Sequence, residues 1–580
     1  PPERLRDPRP ELSPRPEPTA PKCRPAGCAP GDAPVLPIAA LLAIAPLSAI
    51  AARPGGRRGP SRIGRQPIRI AGLLLLACAI ALPVSADETD GNRVRVTTSR
   101  LDLVFSLDGA SPVAWRACHP SCAQADVGQG TSVRFTGTDD PPQARLYLRG
   151  PGPPVDLQGL RFTAELSEGA RARTVTFRSD LPGGGVRVAR SFEVSREGYE
   201  VVMTVRLSGE KAAALTAGRR LELELGAGRG LLPVPAPGFS AMLDRVSRVV
   251  IAPGGVSAVG DDARAPTSLG AGDWVGFRGR FWAVLLRPDD GGALEPSSGA
   301  SAALLTVDEP GRLSWRYTVY SGPLERRALT RADPGLERLL FSGLWSWLRA
   351  LSVALLFLLQ GLTALLGHPG LAIVALAVSV KLLLLPLTVV AERWQEQVNA
   401  TQARLEPGLD AIKAAHRGEE RARRTMALYR EEGVHTLYTL KSLLGVLIQL
   451  PVFIAVFDML AEDFDLSRVG FLWIQDLARP DELLRLPVCL PFFGCYVNLL
   501  PFLMSGVSLA ALLRFRSSAL TPSLVRSQRR NLTGMTLLFF LLFYTFPAGM
   551  VLYWTSTNAV QLAVQEVKRR LRRGRPVPVA

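Results

Sequence analysis

Five long apolar runs fall within the last 240 residues of this 580-residue chain, and they limit what it can fold into. They are 342–366, 371–390, 442–460, 499–515 and a run from Leu532 to Val567 broken at Phe546-Pro547-Ala548-Gly549. At a rise of about 1.5 Å per residue, a run of about 20 residues covers the roughly 30 Å hydrocarbon core of a bilayer. An ordinary soluble domain has no need of so many such runs, and the break in the last one reads as a hairpin of two spans. With 47% hydrophobic and 21% charged residues, the chain is neither disordered nor a small disulfide scaffold. A multi-pass α-helical membrane protein carrying one large soluble domain is the class that remains.

The charge supports that class. Residues 1–66 carry 11 basic and 5 acidic side chains, 514–530 carry 5 and 0, and 566–580 carry 6 and 1, which accounts for nearly all of the net +17. A nucleic-acid protein spreads its cations over a folded domain, whereas here they flank apolar runs, as the positive-inside rule expects. No nucleic-acid substrate is therefore expected.

The first residue is Pro and the first methionine is Met203, so 1–66, rich in Pro, Arg and Ala, reads as a disordered stretch or a gene-model extension. Arg57, Arg58, Arg62, Arg65 and Arg69 then precede IAGLLLLACAIALPV and the small residues Val84-Ser85-Ala86. That order makes 67–87 a signal peptide or a first transmembrane anchor, and the chain beyond it leaves the cytoplasm.

From 88 to 334 the period changes to two, in segments such as VRVTTSRLDLVF, RVARSFEVSREGYEVVMTVRLSG and LSWRYTVYSG, separated by Gly, Pro and Asp turns. A periplasmic all-β sandwich is expected there. Cys118 and Cys122 lie in this domain, and Cys489 and Cys495 in a loop placed on the same side, so two local disulfides fit an oxidising compartment. The alternative for the first pair, a metal site with His119, lacks a distant fourth ligand.

Orientation follows from the loops. Residues 391–441 hold 9 basic residues, whereas 461–498 hold 3 basic and 6 acidic ones. The segments 391–441, 516–531 and 568–580 should face the cytoplasm, with the C-terminus inside, and 462–498 should face the periplasm. Transmembrane segments are then expected at 369–390, 442–461, 499–515, 532–547 and 549–567. For this threading to close, 335–368 must lie along the outer surface as an interfacial helix despite its apolar character. Mixed charges at helical spacing around Gly418 make 391–441 a cytoplasmic helical hairpin.

Lys381 stands ten residues from either end of 371–390, near the bilayer midplane. A cation there costs roughly 2.5–3.5 kcal/mol, so it should face protein or a wet cavity. No carboxylate stands at its depth in the other spans, and Asp458 lies near an outer helix end.

Several stretches, in order, carry a resemblance: KLLLLPLT, ALYREEGV, LIQLPVF, FLWIQDL, LLPFLMSGV and FPAGMVLYWTSTN, with RSFEVSREGYEVVMTV, DWVGFRGRFWAVLLRPDD and YTVYSGP in the β region. The chain resembles the YidC/Oxa/Alb family of membrane protein insertases, in the Gram-negative form with a large periplasmic domain. The resemblance implies a five-helix insertase core plus the N-terminal signal or anchor helix, in the bacterial inner membrane. It implies a chaperone and insertase rather than an enzyme, without cofactor, catalytic residue or metal. Its partners would be nascent membrane proteins and the lipid bilayer, with the Sec translocon and the ribosome as further candidates. By the same matching, Lys381 takes the place of the family's groove arginine, keeping the charge but not the planar fork. Trp554 and Asn558 would line the polar side of that groove, and Leu450, Pro451, Phe453 and Leu542 the apolar slide. Two local departures stand out: HTLYTLKSLLGV before LIQLP lacks the family's Asn-Pro-Leu segment, and RLPVCLPFFGCYVN is an insertion.

Two rival classes are a secondary transporter and a membrane-anchored periplasmic carbohydrate-binding protein. The first should show two related halves, which are not visible. The chain has four histidines and no Walker A, HExxH, GxSxG or GxGxxG pattern, so no catalytic constellation is visible.

Overall fold

The computed structural model describes residues 89–573, apart from 138–142, 227, 229, 232–236, 260–266, 296–301, 308–310, 435–439 and 515–521. The expected extension at 1–66 and the signal or anchor at 67–87 lie outside the described residues, as do parts of 516–531 and 568–580.

Alternation in the sequence becomes antiparallel sheet. In Arg187–Ser195, every second residue, Val188, Arg190, Phe192 and Val194, is buried, and the strand pairs on one side with Ala172–Asp180 and on the other with Glu200–Ser208. Glu200–Ser208 continues to Ser314–Pro323 and that to Trp282–Pro288, within a sheet of nine strands among the described residues. A five-stranded sheet, which includes Leu101–Ser106, packs its Phe105 against Phe192 and Phe177 of the large sheet at ring distances of 4.7 and 5.5 Å. Trp115 donates its indole N–H to the Ser321 hydroxyl at 2.8 Å, tying the same two sheets. A third sheet of six strands carries Leu146, Leu148, Leu221 and Leu223 into the core. Three short helices, α1 (Cys122–Asp126), α2 (Ala212–Thr216) and α3 (Arg326–Ala332), fill corners. The sulfurs of Cys118 and Cys122 are bonded across a Cα separation of 4.9 Å, and those of Cys489 and Cys495 across 4.0 Å.

The rest is helical: α4 (Ser346–Leu366), α5 (Pro369–Leu383), α6 (Leu385–Ala415), α7 (Gly418–Glu431), α8 (Leu440–Glu462), α9 (Leu499–Arg514), α10 (Pro522–Phe543) and α11 (Ala548–Arg573). Gly367, in the left-handed region at φ 72°, ends α4, and His368 caps α5 by accepting from the Gly370 N–H at 3.0 Å, with Pro369 in the first turn. The segment expected as one span at 369–390 is instead two helices bent by 59°. Pro386, in the first turn of α6, has no N–H to give and its ring crowds the preceding turn, so the helix breaks at Leu384. Lys381 thus sits in the last turn of α5, at the elbow, rather than midway along a continuous helix.

Two ends of the helical part can be told apart by their contacts. The start of α5, the end of α8, the start of α9, the end of α10 and the start of α11 all gather beside the β domain. Arg280, nearly buried, donates to the Ala461 carbonyl at 2.7 Å, Arg278 pairs with Glu462, and the Phe341 N–H donates to Glu462 at 3.2 Å. The Phe239 N–H donates to Thr545 at 3.0 Å, and Asn498 donates to the Tyr544 carbonyl at 2.7 Å. Far from this junction, Glu406 of α6 contacts Ser523 at the start of α10. By length and apolarity, α4 is the single helix among the described residues that could cross a membrane alone, and the bent pair α5–α6 would make two. Both ends of α4 nevertheless meet the β-domain side. Arg349 in its first turn donates to the Leu340 carbonyl at 2.9 Å, and Gln360, later in the helix, donates to Asp465 at 3.4 Å.

At this junction Phe464 inserts edge-on against Trp282 and His119, at 5.4 and 5.0 Å. Beside it Asp463 is buried with Asp465 and Glu325 nearby. Burial first, and then the Asp465 carboxylate, push its carboxyl up to about 8. A carboxyl raised in the folded state stabilises fully below its unfolded value near about 4, and that contribution is lost as pH rises towards the folded value. Stability of the full chain should therefore fall as pH rises from about 5 to 8, by at most about 1.4 kcal/mol per pH unit for this one proton. Thermal unfolding across that range should show the slope, and Asp463→Asn should flatten it.

Candidate functional site

α11 places four polar residues in succession, Thr555, Ser556, Thr557 and Asn558, followed by Gln561 one turn on. Ser556, Thr557 and Gln561 are buried. In an otherwise apolar helix such residues pack toward neighbouring helices, and α11 packs on α5 and α9. Asn558 donates its amide to the Ser508 hydroxyl of α9 at 3.0 Å, and Ser508 in turn donates to the Met504 carbonyl at 2.9 Å. One turn before Ser508, the Ser505 hydroxyl is also buried. α9 and α11 therefore share a polar seam, of which the sequence reading identified Asn558 and missed Ser505 and Ser508. Their signal, two serines at i and i+3 inside an apolar run, is weak because serine is ordinary in membrane helices.

Lys381 is half-buried at the elbow, and the carboxylate whose charge acts on it is Glu392 of α6. Glu392 is itself buried, at 3% exposure. Glu392 is not at the depth of Lys381 in any other span but two turns into the next helix, where the bend at Leu384 brings its charge to bear on Lys381. On a straight helix 381 and 392 would be about 16 Å apart.

The aromatic side is built differently from the expectation. Trp554, expected on the polar side of the groove, and Phe453, expected on the apolar slide, touch: their rings meet edge-on at 5.0 Å. Phe453 also packs on Phe457 at 4.1 Å, and Trp554 on Phe539 and Phe543 at 5.6 and 5.7 Å. Phe453 is buried in this cluster because two aromatic residues one helical turn apart on α8 face α10 and α11 together. Leu450, Pro451 and Leu542 remain half-buried. Replacing Trp554 with Ala should cost about 3–5 kcal/mol by cavity formation, and Trp554→Phe far less. Thermal unfolding of the purified chain measures both.

Three features stand out: Lys381 at the α5–α6 elbow within the field of the buried Glu392, a polar contact between α9 and α11, and an aromatic cluster linking α8, α10 and α11. Among the described residues no group of His, Cys, Asp and Glu is placed to hold a metal.

Residues 361–573 match the family described as 60Kd inner membrane protein. The membrane protein insertase YidC of Ralstonia nicotianae is 33% identical over 270 residues, which is 46% of this chain and 44% of that protein. The membrane protein insertase YidC of Pseudomonas paraeruginosa is 30% identical over 297 residues, 50% of this chain and 46% of that one. The chain thus spans about half the length of the curated relatives it matches. A solved structure of an active YidC insertase with its first transmembrane domain resolved aligns over 83% of this chain and 93% of its own, at 19% identity and a TM-score of 0.31. YidC from Thermotoga maritima aligns over 82% of this chain and 98% of its own, at 16% identity and a TM-score of 0.28. Residues 361–573 of this chain are thus similar to the 60Kd inner membrane protein family, and about half of its length is similar to membrane protein insertases YidC.

Proposed function

We propose that this protein inserts other proteins into the bacterial inner membrane and assists their folding there, through a hydrophilic groove centred on Lys381. The observation that carries this reading is the placing of Lys381 at the α5–α6 elbow, in the field of the buried Glu392 two turns into α6, within a helical bundle whose α9 and α11 meet through Ser508 and Asn558. In this reading α5, α8, α9, α10 and α11 span the bilayer. The β domain is periplasmic, and α6–α7, the 516–531 loop and the C-terminus are cytoplasmic. The end-by-end segregation of contacts supports that polarity, since the acid-rich 462–498 segment meets the β domain while the start of α10, at Ser523, meets α6. α4 rests in the outer interface, which is supported by the β-domain-side contacts at both its ends.

The mechanism is physical. A polar tail crossing hydrocarbon carries unsatisfied backbone groups and charge, each costing several kcal/mol. A groove that admits water from the cytoplasm to the elbow shortens the dry path. Lys381 attracts acidic residues of the tail, and Leu450, Pro451 and Leu542 offer the following helix an apolar exit. The membrane potential moves negative charge outward at about 2.3 kcal/mol per charge per 100 mV. Burial of the following helix in lipid then makes the step favourable without nucleotide. Nascent membrane proteins are the substrates. The Sec translocon and the ribosome are the further candidate partners, the latter at the charged face of α6–α7.

Growth of an insertase-depleted bacterium supplied with residues 64–580 behind an added start codon tests the proposal. Restored growth is expected, and failure of a stably accumulated, membrane-located product to restore it would reject the reading.

A further inference from the structure

The inserted segment RLPVCLPFFGCYVN forms a two-stranded hairpin, Leu484–Leu490 with Gly494–Val497, whose tip is closed by the Cys489–Cys495 disulfide. Its surface is unusual. Leu484, Val488 and Leu490 of the first strand are 61%, 68% and 48% exposed. From 483 to 497 there is one charged residue, Arg485. Water is a poor environment for so apolar a surface.

The hairpin is nonetheless fixed in place. Phe493 stands edge-on to Tyr544 at 5.0 Å, and Phe492 to Phe239 of the β domain at 5.2 Å. Below its base, Asp481 accepts from the Leu499 and Leu500 N–H groups at 2.7 and 3.0 Å, which fixes the hairpin to the first turn of α9. Tyr544, which Phe493 of the hairpin meets, also meets Phe502 of α9 edge-on at 6.3 Å, and Phe502 and Leu503, 49% and 41% exposed, belong to the lipid-facing belt of the proposed bundle.

We propose that this hairpin is a membrane anchor that lies in the outer-leaflet interface and buries Leu484, Val488 and Leu490 among lipid. The proposal rests on the orientation given above, which puts the start of α9 at the periplasmic boundary. Depth follows from the backbone. A two-stranded hairpin has outer edges that would go unsatisfied in hydrocarbon, so it stays at the level where headgroups and water still reach it. Pro487 and Pro491 reduce the N–H groups needing such partners. The disulfide and the aromatic contacts hold the surface ready, so little conformational freedom is lost when lipid covers it. The hairpin and the apolar α4 would then brace the β domain over the bilayer from two places.

The test places a photoactivatable benzophenone amino acid at Leu484, at Val488 or, as a reference, at Leu509 on α9, in the full chain. The chain is reconstituted in vesicles of phosphatidylethanolamine and phosphatidylglycerol, and its intact mass is measured after illumination. A mass gain of one phospholipid at 484, 488 and 509 is expected. Lipid adducts at 509 with none at 484 and 488, or only protein adducts there, overturn the anchor and leave the span reading in place. Absence of lipid adducts at 509 overturns the span reading and the anchor with it.

Discussion

Lys381→Glu lowers insertion of a single-span substrate with a short acidic tail by about tenfold or more in vesicles containing the purified chain, equivalent to at least about 1.4 kcal/mol. Lys381→Arg retains most of it, and Lys381→Ala falls between. The order follows from the charge at the elbow. Arginine keeps a cation facing Glu392 and the groove, whereas alanine removes it. Glutamate sets a second carboxylate in the field of the first and repels the tail it should attract. The tail's charge provides the second axis: a substrate with a neutral tail should lose much less in the Glu variant. Equal activity of the Glu and wild-type chains on the acidic tail would remove this charge from the mechanism.

The second large effect lies in the β domain. Arg190→Ala should destabilise the sandwich by about 2–5 kcal/mol. Arg190 has no exposed surface, although it occupies an inward position of an alternating strand where the pattern calls for an apolar residue. Its guanidinium donates to the Gly109 carbonyl at 2.6 Å, the Ser111 hydroxyl at 3.1 Å and the Ala144 carbonyl at 2.8 Å, so it closes two loops onto the strand. Burial lowers its pKa to about 9, which leaves it charged at neutral pH. Alanine would remove this donor from the Ala144 carbonyl, leave the Gly109 carbonyl only its longer bond from the Ser111 hydroxyl, and open a cavity beneath Phe192. Hydrogen exchange of the full chain across 101–106, 187–195 and 200–208 should report the loss. Unchanged protection there would show that the guanidinium is dispensable.

Arg190 also shows what could be read from the sequence and what could not. Alternation in RVARSFEV located the strand and its buried face, because a period of two survives a single polar intruder. It could not say that the arginine is the intruder with a purpose, since its three acceptors come from residues 46 to 81 positions away. The helical part divides in the same way. Hydropathy and charge located the helices now seen at α8, α9, α10 and α11 to within a few residues, apart from the polar first turns of α10 and the basic end of α11. The elbow at Leu384 was hidden because apolar residues run through it unbroken, and only Pro386 marks it. With the elbow went the influence of the Glu392 charge on Lys381. The aromatic cluster was hidden for another reason: Phe453 and Trp554 were assigned separate roles from a linear match, and their contact depends on how α8 and α11 pack.

The claim on which the account turns is that position 381 is reached by water from the cytoplasm. Lys381→Cys in the full chain, treated with a membrane-impermeant thiol reagent on inside-out and right-side-out vesicles, measures this directly against the unsubstituted chain. The account predicts labelling on inside-out vesicles, where the cytoplasmic face is outward, and protection on right-side-out ones. No labelling from either face, or labelling from the periplasmic face alone, would contradict it.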